Sequence, residues 1–312
     1  MAIKMTAEAL RNEIRSAEEF RDRHVRDQDR IIRRYTGRYY RHDQSPDRAV
    51  AENHAYEYLS VVLPTVVYDN PRCKISSANP SAADRTGTVT AGERAKGIEL
   101  ALNRWAVDSG IYSTLFDLAV DFLFTWGVAL VTTTDQPGFN GAEMVPVQPY
   151  ILHLENHHFF IDPMARTTDP MQNNGPRYMG HMWKADREDL LNDPAFDQQA
   201  IMQLALDNDI DKFDEQRSKG HDIPSREEIV GWDIWSPEHQ LSDAPEMNGA
   251  IFTVAAGATP QGLTKKSAMI RKPRPAYCPP WGPYVVFGCY KVPGQPYPLS
   301  PLVATAEMSE EL

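Results

Sequence analysis

The chain has 312 residues, 32 Lys+Arg against 43 Asp+Glu, 42% hydrophobic residues and a mean hydropathy of -0.48. These figures predict a soluble, core-forming protein and exclude an intrinsically disordered one. A net charge of -11 argues against a surface that wraps nucleic acid over its whole extent. Three cysteines, Cys73, Cys278 and Cys289, build no disulfide framework; none lies at C-x-x-C spacing, which excludes a zinc ribbon and fits a reducing compartment.

The N-terminus shows no apolar leader, since arginines recur from Arg11 onward. The longest strongly apolar uncharged run, Phe122 to Thr134, falls short of the ~20 residues that a membrane-spanning helix needs. Charge is unevenly placed: residues 1–41 hold eleven Lys/Arg and seven Asp/Glu, a net of +4, which leaves -15 for the remainder.

Taken in order, residues 7–35 predict one long amphipathic helix, with Leu10, Ile14, Ala17, Phe20, His24, Gln28, Ile31 and Tyr35 at spacings of three and four. Thr6 is its expected N-cap and Gly37 its stop. Its other faces mix Glu18, Glu19, Arg21, Asp22, Arg23, Arg26, Asp27, Asp29 and Arg30. Such a helix is either a basic nucleic-acid reader or a solvated face of opposite-sign neighbours, and the interleaved acids favour the second. A second helix is expected over Asp47–Leu63, kinked or ended by Pro64. A turn at Asn70-Pro71, a short strand over Arg72–Ser77 and a polar linker over 78–88 follow. Helices are expected over Val89–Val107 and, after Gly110, over 112–126, where Leu115, Leu118, Ala119, Phe122, Leu123 and Trp126 form an apolar stripe.

After Gly127 short β-like runs take over: Gly127–Thr134, Tyr150–Leu154, His158–Ile161, Arg177–Trp183, Ile229–Trp235, Ala250–Ala255 and Tyr284–Tyr290. A helical patch at 186–206 interrupts them. Nine prolines within 273–301 favour an extended, packed crossing segment. From Pro301 the residues Leu302, Ala304, Ala306 and Met308 predict the first turns of a helix that the sequence leaves at Leu312. The expected class is α+β: a mostly helical portion over 1–126, a β-rich portion over 127–300, and the start of a truncated helix over 301–312.

Signatures of common catalysts (G-x-S-x-G, the P-loop, G-x-G-x-x-G, H-E-x-x-H) are absent from the sequence. Four constellations carry chemistry-bearing side chains. His153, Glu155, His157, His158 and Asp162 lie within ten residues; on one extended strand His153, Glu155 and His157 would share a face with imidazole and carboxylate donors suited to zinc or iron, but no fourth ligand stands at a recognisable spacing. Asp117 and Asp121, at i and i+4, either bind a cation or share a proton as a carboxylate pair, or mark the solvent edge of a buried helix. Asp207, Asp209, Asp211 and Asp214 mimic a calcium loop but place Lys212 where glycine is needed and Ser218 where a bidentate glutamate belongs. Lys265, Lys266, Arg271, Lys272 and Arg274 beside Tyr277 and Trp281 would hold phosphates and stack bases, or form an ordinary proline-rich loop. The reading assigns no catalytic, cofactor or metal residue.

Three stretches carry a resemblance. The first is Glu52-Asn53-His54 leading through Tyr56, Tyr58 and Leu59 to Leu63-Pro64, then Asp69-Asn70-Pro71-Arg72. The second is Phe124-Thr125-Trp126-Gly127, then Val145-Pro146-Val147 and His158-Phe159-Phe160-Ile161-Asp162-Pro163-Met164-Ala165. The third is Pro293 to Pro301 running into a helix. In order and spacing they resemble the portal proteins of tailed double-stranded DNA bacteriophages. That resemblance implies a non-enzymatic virion protein without cofactor, a subunit of a homo-oligomeric ring, usually of twelve, at one capsid vertex. The ring is the channel for packaging and ejecting DNA; it is assembled in the host cytoplasm. Its implied partners are further copies of itself, the terminase motor, the major capsid protein, tail or adaptor proteins and the double-stranded DNA in the channel, with no membrane. The chain would cover the N-terminal part of the portal wing and the start of a stem helix; the second stem helix, clip and crown have no counterpart in it. A ring needs a head-to-tail interface, for which the first helix and the proline-rich crossing are the expected patches. No DNA-contacting residue is assigned. The alternatives are a metal-dependent enzyme using His153/Glu155/His157, a head–tail adaptor and a DNA-binding structural protein.

Overall fold

The computed structural model describes residues 6–35, 54–67, 71–82, 89–133, 138–140, 143–145, 149–204, 228–239, 248–259 and 262–302. The expected α+β class holds, with helices in the N-terminal half and antiparallel sheets in the C-terminal half.

Helix α1 (Ala7–Tyr35) forms where the apolar periodicity places it. Its buried line is Leu10, Ile14, Ala17, Arg21, Val25 and Ile31, so beyond Ala17 the inward face runs one position later than Phe20 and His24. Arg21 and Glu18, expected on the solvated face, are turned inward. The Arg21 guanidinium donates to the His157 carbonyl and to Asp22 Oδ1. Glu18 accepts from Trp232 Nε1 at 3.0 Å. The Arg15–Glu19 pair does lie in solvent.

Helix α2 (His54–Val66) continues two residues past Pro64; the expected start at Asp47 lies outside the described residues. Helix α3 (Ala91–Asp108) opens with a capping box, Thr90 Oγ1 accepting from the Glu93 amide while the Glu93 carboxylate accepts from the Thr90 amide. Gly110, at φ 66°, supplies the left-handed residue that turns the chain directly into α4 (Ile111–Phe124). This helix ends before Trp126, which the periodicity had placed inside it; Trp126 is instead a buried core side chain at the head of a strand.

The expected strand at Arg72–Ser77 is not one. Its backbone pairs with side chains of α3: the Cys73 amide donates to Asn103 Oδ1 (2.8 Å), Asn103 Nδ2 donates to the Cys73 carbonyl (3.0 Å), and the Ile75 amide donates to Glu99 Oε2 (2.9 Å). An extended segment thus satisfies its polar groups on residues i and i+4 of a helix rather than in a sheet.

The strands are β1 (Gly127–Thr133), β2 (Gly138–Asn140), β3 (Glu143–Val145), β4 (Pro149–Leu154), β5 (Phe159–Ile161), β6 (Met179–Asp186), β7 (Glu228–Ser236), β8 (Ala250–Thr259), β9 (Gly262–Met269), β10 (Arg274–Pro275) and β11 (Tyr284–Phe287). The β2–β3 hairpin, β9 and β10 were not expected. The helical patch is two short helices, α5 (Arg187–Asn192) and α6 (Gln198–Gln203). Of the helix expected after Pro301, all but the first residues lies outside the described residues.

Two antiparallel sheets face each other. The larger has the order β10-β8-β7-β6-β5, with β9 also on β8; the smaller is β11-β1-β4. Strand alternation assigns the faces. Val230, Trp232, Ile234, Phe252, Val254 and Phe160 pack under Leu10, Ile14 and Ala17 of α1. On the opposite face Ile229 and Ala255 pack against Leu190, Ile201 and Leu204 around α5 and α6. Further along that face Phe159, Ile161, Met179 and Trp235 meet Trp126, Val128 and Leu130 of the smaller sheet. Helix α4 covers the outside of the smaller sheet; a Cβ on Gly127 would stand 2.6 Å from the Leu118 carbonyl oxygen, so glycine permits that approach. The proline-rich crossing is buried at Tyr297, which stacks on Trp126 at 4.7 Å and on His24 at 5.0 Å. The apolar line of α1 and, in the crossing, Pro296, Tyr297 and Ser300 are thus covered within the chain, whereas Tyr277, Trp281, Phe287, Tyr290 and Leu299 stay exposed.

Asp162, 1% exposed, closes the 163–176 loop. Its carboxylate takes the Arg177 guanidinium at 2.6 and 3.0 Å and the amides of Met164 and Arg177. Burial pushes this carboxyl up, but the guanidinium and the two amides outweigh it and hold it below the usual carboxylate range. Asp162→Ala is expected to lower the unfolding free energy by about 3 kcal/mol. In the wild type the same contribution is complete above about pH 4 and is lost as pH falls through the depressed folded value. Urea midpoints of both chains between pH 2 and 7 check this: their difference should shrink only in acid.

Candidate functional site

The histidine-rich run is divided among separate tasks. Strand β4 ends at Leu154 and residues 155–158 form a turn closed by the His158 amide on the Glu155 carbonyl at 2.9 Å. His153, Glu155 and His157 therefore do not share one strand face. His153 points to α4, its Nε2 2.7 Å from Asp121 Oδ2. His157 lends its carbonyl to Arg21, and the Glu155 side chain is mostly exposed, 4.0 Å from His158. Asp162 belongs to Arg177. Among the described residues no group of three His, Cys, Asp or Glu side chains is placed to hold a metal.

The carboxylates on α4 also part company. Asp117 is exposed, whereas Asp121 and His153 are each 22% exposed and tie α4 to β4. The hydrogen bond to Asp121 raises the His153 imidazole above its ordinary value against the opposing effect of burial, and the charges of Asp121, Asp117 and Glu155 add to the rise. The acidic run Asp207, Asp209, Asp211 and Asp214 lies outside the described residues.

The basic stretch is broken up as well. Arg271 stacks over Phe196 at 5.3 Å and Arg274 pairs with Asp233 at 3.2 Å. Lys265 and Lys266 sit on β9, Lys272 is exposed, and Tyr277 and Trp281 lie open to solvent. The two arginines are thus engaged within the chain.

Arg274 belongs to a buried polar joint between the two sheets that sequence reasoning missed. His181 Nδ1 on β6 is 2.9 Å from the Tyr284 hydroxyl on β11, and that hydroxyl donates to the Asp233 carbonyl at 3.4 Å. Thr253 Oγ1 donates to Asp233 Oδ1 at 2.7 Å. Burial pushes the His181 imidazole down and the Tyr284 phenol far up, so the joint consists of a neutral imidazole and a neutral phenol beside one ion pair. Its contacts hold two layers together.

A further open feature is apolar. A groove of about 450 Å3 runs between the end of α2, α4 and the end of β11, lined by Val66, Val67, Leu115, Leu118, Phe122 and Phe287. Tyr112 stands at its edge, its hydroxyl 3.5 Å from the Val67 carbonyl. Past β11, Cys289 and Tyr290 are near enough to Tyr58 of α2 to act on it electrostatically. Tyr56, Tyr58, Val66, Phe116, Phe287 and Tyr290 are 39–55% exposed. The signal in the sequence was α2 itself, which sets Glu57, Ser60 and Thr65 against more apolar side chains than one buried face takes up. No family model matches the chain, and no curated protein matches it.

The His153–Asp121 pair generates a pH dependence. Because the folded imidazole titrates above its ordinary value of about 6.5, the pair's stabilisation, on the order of 1 kcal/mol, is complete below that value. It is lost as pH rises through the folded value. Thermal midpoints of wild type and His153→Gln between pH 5 and 9 should differ most at pH 5 and converge in alkali; a constant difference would show that the charged pair contributes nothing.

Proposed function

We propose that this chain is a structural ring subunit, the wing portion of a portal at one vertex of a phage capsid, through which double-stranded DNA is packaged and ejected. The observation that carries the proposal is the apolar surface around the α2–α4–β11 groove. Monomeric proteins rarely leave patches of this kind open, and such patches mark sites of association. The order of the three sequence stretches that resemble portal proteins supplies the identity of the assembly. The charge supports it too: an acidic surface opposes adhesion to DNA moving past, since counterion-release binding grows with each phosphate that a cation pairs.

On this reading the protein acts as a virion component and not as an enzyme. Further copies of the chain close the ring; the terminase motor, the major capsid protein and tail or adaptor proteins dock on it. Solution mass and negative-stain imaging of the purified chain test the proposal. A ring with a central hole is the expected result, together with no retention of double-stranded DNA at physiological salt. A monodisperse monomer at all concentrations, or tight salt-sensitive DNA binding, would overturn it in favour of an adaptor or a DNA-binding structural protein.

A further inference from the structure

We propose that residues 274–287 form a strap across the two sheets that protonation of His181 releases, an acid-sensitive latch that goes beyond the ring reading and does not depend on it. The strap starts on the larger sheet, where β10 pairs Arg274 with Ile251 and Pro275 with Ala250 of β8. It crosses to the smaller sheet and ends as the edge strand β11 on β1. Between the two, the Ala276 amide donates to the Gly249 carbonyl at 3.1 Å and Asn248 Nδ2 to the Cys278 carbonyl at 2.7 Å. Pro275, Pro279, Pro280 and Pro283 bring no amide N–H to the strap. A segment so poor in backbone donors depends on its side chains, and two of them, Arg274 and Tyr284, end at one place.

That place is a row of side chains across the larger sheet. Register sets His181 of β6 between Phe159 of β5 and Asp233 of β7, and Asp233 beside Thr253 of β8, so the four share one face. Tyr284 covers the row from the smaller sheet, its ring centre 5.9 Å from that of His181 and 5.5 Å from that of Phe159. Its hydroxyl stands 2.9 Å from His181 Nδ1. The charged and titratable groups around His181 are Asp233 on β7, Arg274 on β10, Tyr284 on β11 and His158 in the turn before β5. Cys278, on the strap itself, acts on Tyr284.

A second proton on this ring meets a carboxylate that is already engaged. Asp233 takes Arg274 at 3.2 Å and Thr253 Oγ1 at 2.7 Å. An imidazolium donates from both nitrogens and accepts nothing, so it shares that one carboxylate with a guanidinium. Burial, Arg274 and His158 disfavour the charged ring, and Asp233 favours it. His181 is nonetheless partly exposed, which gives a solvent proton its route. Two rearrangements relieve the charge: Arg274 yields Asp233 to the imidazolium, or His181 turns to water and leaves the phenol. Each removes a side-chain anchor of the strap. Because the ring titrates lower with the strap closed than with it open, closure is complete above the ordinary histidine value of about 6.5. It weakens as pH falls below that value, by up to about tenfold per pH unit for one proton.

Hydrogen–deuterium exchange of the full chain, read by mass spectrometry between pH 5 and 8 with the intrinsic exchange rate divided out, tests the latch. Peptides covering 276–287 report the strap, and peptides covering 228–236 report β7. The strap's protection should hold from pH 8 to about 6.5 and then fall roughly tenfold by pH 5, while β7 keeps its own. Carboxylates, with ordinary values near 4, stay charged over that window. His181→Gln keeps a side chain able to bond the phenol but does not titrate, so its strap profile should be flat whatever its absolute level; His158→Gln should retain the fall. Protection of the wild-type strap that is unchanged between pH 6.5 and 5 overturns the latch without any variant, which keeps the test decisive if His181→Gln does not fold. A fall that persists in His181→Gln overturns the role of this ring. A simultaneous fall over 228–236 overturns the strap as the unit that moves.

Discussion

The stripe Leu10–Ile14–Ala17–Val25–Ile31 along α1 is the interaction on which the remaining packing depends, because it links the buried cluster around α4 to two of the three clusters in which the larger sheet takes part. Leu10, Ile14 and Ala17 lie on the larger sheet, Val25 enters the core between the sheets, and Ile31 joins Leu59, Leu123, Phe124 and Leu302 around α4. A helix of 29 residues is roughly 44 Å long at 1.5 Å per residue, enough to run the length of the larger sheet, pass its β5 edge and reach α2 and α4. On its own such a helix is held only weakly in water. Its polar side chains therefore matter as fasteners: Glu13 accepts from the Tyr178 hydroxyl at 3.1 Å, Glu18 from Trp232, and the Arg11 guanidinium lies 4.0 Å above the same indole. Arg21 interrupts the apolar line at the sheet's edge, where the turn after β4 presents an otherwise unpaired carbonyl.

The larger sheet must serve two different neighbours on its second face, and period-two alternation makes this possible. The residues facing away from α1 pass from apolar contacts with α5 and α6, through the polar His181–Asp233–Thr253 middle, to apolar contacts with the smaller sheet. Asp233 on a central strand is tolerated because Arg274 and Thr253 complete its hydrogen bonds. The Tyr284 phenol then reaches from the smaller sheet into this polar zone. The joint fixes how the two sheets sit on one another with a directional contact that apolar packing alone lacks.

Much of this was legible in the residues. The 3.6-residue period located α1, α3 and α4, and Gly and Pro punctuation located seven of the strands. Legibility failed where partners are distant or are not of the expected kind. The segment at 71–77 has strand-like composition, yet its partner is the side-chain amide of a helical asparagine. Strand β9, Gly-Leu-Thr-Lys-Lys-Ser-Ala-Met, has no alternation to read because it lies at the edge of a sheet. At the candidate sites, the i, i+4 spacing of Asp117 and Asp121 was visible, but the strand residue that takes one carboxylate and leaves the other was not. Likewise His153, Glu155 and His157 share a face only if the chain stays extended, and the turn after Leu154 removes that condition.

The groove was hidden for a geometric reason, since Val66 and Phe287 come from opposite ends of the chain and meet only in the folded state. Its significance follows from the contrast between the two sides of the molecule. On the α1 side the large apolar side chains of the sheet that pack with Leu10, Ile14 and Ala17 are covered among the described residues, with the Trp232 indole and Tyr178 phenol finished by Glu18 and Glu13. On the α2–α4 side two helices with few charged residues leave Tyr56, Tyr58, Val66 and Phe116 open to water. A sequence that completes one face so thoroughly has no energetic reason to leave the other open, because each exposed apolar group forfeits about 25 cal/mol per Å2 that burial would return. The ring reading proposed above calls for this combination of an acidic surface with an apolar face, the first opposing adhesion to DNA and the second favouring association.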